Sequence, residues 1–162
     1  MASQTSPEFI EGSQNKSAGQ RRMIMQMNVI ASYTTKEALA DGFLVEVEQK
    51  ISKEAGIRYP VYLSRSVWDR YVEVPAGCKG IQDQEGRLWD ILYMFSWAAR
   101  RSEGDTILYM LDCVVDPSSA RLSNEKRNPG RTSLTITLKA VISARDLDDP
   151  SPAIFIMTPQ ED

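Results

Sequence analysis

Histidine is absent from the 162 residues of this chain, and cysteine occurs only twice. Without histidine the usual general base is missing, and with it the Ser-His-Asp and Cys-His arrangements and most catalytic zinc sites. The two cysteines, Cys78 and Cys113, stand far apart and neither belongs to a C-x-x-C pair, which excludes a zinc ribbon and a dithiol redox motif. Cys113 sits inside an apolar run and is expected to be a buried free thiol, in keeping with a reducing compartment. Cys78 lacks an activating neighbour, since the adjacent Lys79 points elsewhere in most backbones. There is no phosphate loop and no G-x-G-x-x-G turn after a strand. Asp83-Gln84-Glu85-Gly86 invites comparison with a calcium loop, but aligning its glycine puts Ile81 and Leu92 at the first and last ligand positions, and the match fails. No run approaches the roughly 20 apolar residues that a membrane span needs. These absences lead us to expect no catalytic residue, no metal, no cofactor and no membrane partner.

The charge is balanced toward acid, with 19 Lys and Arg against 22 Asp and Glu. A net charge of −3 argues against a protein that coats nucleic acid or anionic membrane through bulk charge. Residues 1–22 are rich in Ser, Gln, Gly and Asn and nearly free of large apolar groups. Such a segment cannot offset its ordering entropy by burial, so it is read as a disordered tail. The stretch from Arg21 to Ala31 faintly resembles a signal peptide, but Gln26 and Asn28 interrupt its apolar part. The expectation is a cytoplasmic protein with one domain over residues 23–162.

Local signals give the elements in turn. Thr34 and Glu37 form a capping box for a helix 35–41 that Gly42 ends. Residues 43–47 alternate and predict a strand, joined to a sheet edge. A second short helix runs over 48–55 and stops at Gly56. Residues 58–63 are extended ahead of Ser64, the N-cap of a helix 65–72 with Val67, Trp68 and Tyr71 on one side. The longest helix is predicted over 86–101, with Asp83 and Glu85 at its start and Arg100 and Arg101 at its end. Its middle is apolar nearly all round, which predicts a buried central helix. Residues 106–115 are apolar on both faces and predict a central strand. Residues 132–142 alternate cleanly, with Leu134, Ile136, Leu138, Ala140 and Ile142 on one face. A last strand covers 153–158. The fold class is therefore α+β: an antiparallel sheet of three C-terminal strands plus a short N-terminal strand, packed against the long central helix and several short helices.

Several phrases carry a resemblance. They are Ser32-Tyr33-Thr34 with Ala38 and Ala40-Asp41-Gly42, then Pro60-Val61 and Val67-Trp68, then Asp83 with Gly86-Arg87-Leu88-Trp89-Asp90, and finally Leu138-Lys139-Ala140-Val141. Together, over about residues 29–158, the chain resembles an uncharacterised family of small single-domain bacterial proteins, often plasmid- or mobile-element-borne. Gly86 to Asp90 is the most specific piece. The resemblance implies a single-domain fold and a mobile-element setting, and it supplies no activity or catalytic residue.

Three features remain as candidates for function. Asp90 beside Trp89 could be a carboxyl with a raised pKa, but a pairing with Arg87 three residues earlier is the expected role. Trp89, Tyr93 and Trp97 recur at four-residue spacing and are expected in the core, with a recognition stripe as the alternative. The basic residues Arg100 and Arg101, together with Arg121, Lys126, Arg127 and Arg131 in the long link 116–131, are candidate binding residues for a polyanion. The functional expectation is a non-enzymatic accessory protein of a mobile genetic element that binds a host or plasmid protein. The alternative is a nucleic-acid-binding module that uses the basic loop 116–131.

Overall fold

The computed structural model describes residues 33–76, 80, 82–114, 126–127 and 133–161. The tail expected over 1–22, Cys78, and the link 116–131 apart from residues 126–127 lie outside the described residues. Thr34–Asp162 forms one compact unit.

The first helix, α1 (Thr35–Ala40), carries the expected capping box: Thr34 accepts from the Glu37 N–H, and Glu37 reaches back to the Thr34 N–H. It hands over to β1 (Leu44–Glu46) through Gly42 at φ 77°. The next helix, α2 (Gln49–Glu54), ends at Gly56 with φ 85°. A side chain there would be strained, and its Cβ would lie 3.1 Å from the Arg100 guanidinium at the far end of the long helix. After β2 (Val61–Ser64), Ser64 caps α3 (Arg65–Val67), which continues as a π-helical turn over Trp68–Val72. The long helix α4 spans Gln84–Ala99, beginning two residues earlier than the sequence suggests because Asp83 caps it and accepts from Gly86 N–H at 2.6 Å. Strands β3 (Thr106–Val114), β4 (Lys126–Arg127), β5 (Ser133–Ala144) and β6 (Pro152–Met157) complete the chain.

The protein is α+β. Its sheet runs β1-β2-β6-β5-β3, with β4 also paired to β5. The three C-terminal strands β3, β5 and β6 pair antiparallel in sequence order, as expected, and β1 lies at one edge. The sheet is nevertheless mixed rather than antiparallel: β2, expected only as an extended stretch, lies between β1 and β6 and runs parallel to β6. A second correction concerns β3. It is the edge strand, not a central one, and it alternates in burial: Ile107, Tyr109, Leu111 and Cys113 face the core while Leu108 and Met110 are each 63% exposed.

The core lies between one face of the sheet and α2, the π turn and α4. Leu134, Ile136, Leu138 and Ala140 of β5, with Ile154 and Ile156 of β6 and Val61 and Leu63 of β2, meet Leu88, Ile91, Leu92 and Phe95 of α4. On the opposite face Tyr62 stacks on Phe155 at 5.3 Å between ring centroids.

Candidate interaction surface

Helix α4 lies along β3 and runs antiparallel to it. Near its start Arg87 touches Cys113 and Val114, and in its second half Phe95 packs edge-on against Tyr109, with centroids 5.9 Å apart. Of its buried residues, Leu88, Ile91, Leu92 and Phe95 belong to the core, Arg87 reaches the end of β3, and Ser96 faces Gly56 after α2. The other side of the helix holds the aromatic stripe. Tyr93 and Trp97 are each 47% exposed, while Trp89 is partly buried and packs on the core. The expectation that the stripe belongs to the core is therefore corrected for Tyr93 and Trp97. An α-helix packed on a sheet has one inward face, and here Leu88, Ile91, Leu92 and Phe95 fill it, so aromatics about 120–180° away cannot also enter.

The stripe is ordered by its own contacts. The Trp89 and Tyr93 rings stack at 4.7 Å with 11° between planes. The Arg101 guanidinium lies 3.8 Å above the Trp97 ring and donates to the Trp97 carbonyl at 3.1 Å. Stacked rings and a cation over a ring lose less freedom on binding than loose side chains do, which suits them to a contact surface.

Arg87 and Asp90 do not pair as expected. Arg87 is 5% exposed and turns inward: its guanidinium donates to the Tyr71 carbonyl (2.8 Å), the Gln82 side-chain oxygen (2.6 Å), the Val114 carbonyl (2.6 Å) and the Cys113 sulfur (3.2 Å). It thus ties the π turn, the start of α4 and the end of β3 together. Asp90 points outward, and desolvation raises its pKa while the Arg87 charge acts in the opposite direction. Cys113 is buried, as its apolar sequence surroundings indicate.

The basic residues fall at two ends of the domain. Arg100 and Arg101 follow α4, thirteen or more residues and about 20 Å along the axis from Arg87. Strand β4, formed by Lys126 and Arg127, pairs with Leu134 and Thr135, the residues opposite Cys113 and Asp112, and so lies at the Arg87 end. Arg121 and Arg131 lie outside the described residues.

Other chemistry is sparse. Among the described residues no group of His, Cys, Asp and Glu side chains is placed to hold a metal, and no helix is long and apolar enough to cross a membrane. An open hollow of about 480 Å³ is lined by Glu46, Glu48, Gln49, Ser52, Tyr59 and Arg145, among others. Its Arg145 is engaged by Glu46 (3.8 Å), Asp149 (3.7 Å) and the Tyr62 hydroxyl (2.9 Å). The Tyr109 hydroxyl is buried without a hydrogen-bond partner among the described residues, and burial pushes its pKa far above the ordinary value.

At the C-terminal end, Glu161 accepts from the Ser64 hydroxyl (2.9 Å), the Thr158 N–H (2.8 Å) and the Thr158 hydroxyl (2.8 Å). Burial raises its pKa, but the hydrogen bonds, led by the Thr158 N–H, outweigh burial and hold it below its ordinary 4.5. A lowered folded-state value means the stabilisation is complete above the ordinary value and is lost as pH falls through the folded one. The difference in denaturant midpoint between wild type and Glu161→Gln should therefore be largest near neutral pH and shrink as the solution is acidified below the ordinary 4.5. A difference that stays constant with pH contradicts this role.

The chain matches no family model, no curated protein and no solved structure in the comparisons made with each.

Proposed function

We propose that this is a non-catalytic protein-binding domain whose contact surface is the outward face of α4. The observation that carries the reading is the exposure of Tyr93 and Trp97 on a helix whose other side is fully used by the core. Large aromatics are expensive to leave in water, and contiguous exposed ones on a well-packed domain mark contact sites. Arg100 and Arg101 add positive charge at one end of the stripe, and Glu85 and Asp90 add negative charge toward the other. A partner surface that is apolar at its centre and charged at its rim fits this pattern. A host or plasmid protein as the partner, and the mobile-element setting, rest on the sequence resemblance alone.

The test is a photo-crosslinking side chain placed at position 93, with position 50 on α2 as control, in a bacterial lysate. Covalent adducts to protein are expected from position 93 and not from position 50. Equal yields at the two positions, or none at either, overturn the reading.

A nucleic-acid-binding role is the second reading. It is favoured by the stacking of Arg101 on Trp97 beside Arg100, since aromatic and guanidinium planes can hold an unpaired base while a second arginine meets phosphate. Single-stranded DNA or RNA would then bind at low salt and weaken steeply as salt rises. No binding at low salt rejects it.

A further inference from the structure

Five residues spaced four apart run along α4 and the turn that follows it: Glu85, Trp89, Tyr93, Trp97 and Arg101. Read in order, this ridge is acid, three aromatics, base. Glu85 and Arg101 are exposed at its ends, and Tyr93 stands half exposed at its centre. Reversed, the ridge is its own complement. We propose that it is the contact for a second copy of the chain, with two α4 helices packed antiparallel about a two-fold axis at Tyr93. The proposal rests on the reading of the α4 face as a protein contact and names its occupant.

In that register Tyr93 meets Tyr93 of the second copy, Trp89 meets Trp97, and Glu85 meets Arg101, the last two contacts made twice by symmetry. Rows of residues four apart are the ridges through which helices interlock. A two-fold interface requires one patch to complement itself, and few sequences satisfy that with charge as well as shape. The antiparallel sense also sets each helix start against the other's end, opposing the helix dipoles. A parallel pairing would place Glu85 on Glu85 and Arg101 on Arg101 and is disfavoured by repulsion. Arg101 can keep its place over Trp97 while facing Glu85 of the other copy, so the contact needs little rearrangement.

The rival surface is the outer edge of β3, which pairs with no further strand among the described residues. There the Ile142 N–H bonds the Asp105 carbonyl, which fixes the ladder so that Thr106, Leu108, Met110, Asp112 and Val114 turn their backbone groups outward. Two copies joined at this edge would carry both α4 helices on one face above strands only about 4.8 Å apart. Packed helices need about 8–10 Å between axes, and α4 stands over β3, so this arrangement is crowded.

Sedimentation of the full chain over a concentration series tests the proposal. Wild type should form a dimer, and Tyr93→Ser should be monomeric. Glu85→Arg alone and Arg101→Glu alone should each weaken association about tenfold, because each replaces two attractions by two repulsions. The double variant Glu85→Arg/Arg101→Glu should regain most of the wild-type affinity, since the pairs are restored in reverse. A denaturant midpoint for each variant establishes that it is folded. A wild type that stays monomeric overturns the proposal, as does a double variant no better than the single ones. A dimer that survives Tyr93→Ser but dissociates in Met110→Lys moves the contact to the β3 edge and also overturns it. If wild type is monomeric while position 93 still crosslinks to another protein, the α4 face remains a binding surface and only the second copy is lost; if neither occurs, both readings fall.

Discussion

Phe95→Ala is expected to lower the unfolding free energy by about 3–5 kcal/mol, whereas Trp97→Ala should lower it by about 1 kcal/mol or less. Both residues are large aromatics on the same helix two positions apart. Phe95 is 2% exposed and packs on Tyr109, so its removal forfeits transfer energy and leaves a cavity against the sheet. Trp97 is half in water, and its loss removes a cation–ring contact and leaves no enclosed void. The first loss is a large share of the ~5–15 kcal/mol that holds a domain together. Urea unfolding of both variants measures the difference. Equal losses would mean that α4 is buried on both sides.

Arg87→Met should cost about 3–5 kcal/mol, even though methionine is well accommodated in helices and cores. The Tyr71 carbonyl, near the end of the π turn, accepts from the Arg87 Nε–H at 2.8 Å. The Val114 carbonyl at the end of β3 is served by the same guanidinium. Methionine would leave both acceptors without this donor. Arg87→Lys should recover only part of the loss, since one ammonium cannot reproduce a planar fork aimed at several acceptors. Retention of full stability by Arg87→Met would show that other groups or water satisfy those carbonyls.

The sequence motif Gly86-Arg87-Leu88-Trp89-Asp90 acquires a physical meaning from this arrangement. Gly86 receives the Asp83 cap, Arg87 clamps three elements, Leu88 enters the core, Trp89 begins the outward stripe, and Asp90 stays in water. A helical spacing of three suggests an Arg87–Asp90 pair, and nothing local reveals that Arg87 is turned inward by acceptors on Tyr71 and Val114.

What was legible in the chain is what is decided locally. The Thr34–Glu37 capping box, the Gly42 and Gly56 stops, the Ser64 cap and the alternation from Leu134 to Ile142 all rest on neighbours within a turn or a strand. The misreadings concern partners distant in sequence. Strand β2 is a four-residue run buried at every position, so it shows no alternation, and its parallel neighbour β6 lies at the other end of the chain. Strand β3 carries Leu108 and Met110 on its outer face, and apolar residues on both faces mimic a central strand. The same ambiguity hid the exposed aromatics: the middle of α4 is apolar nearly all round, which is the pattern of a buried helix and also of a helix with one face on the core and another in solvent. Only the position of the sheet distinguishes them.

The central claim is that the outward face of α4 holds a partner and does little for the fold. The most direct measurement is capture of protein from lysate by the Tyr93→Ser/Trp97→Ser variant against wild type, on bait whose denaturant midpoint is matched. The account predicts a variant folded to within about 1–2 kcal/mol of wild type and a loss of what the wild type captures. Undiminished capture by the folded variant would contradict it.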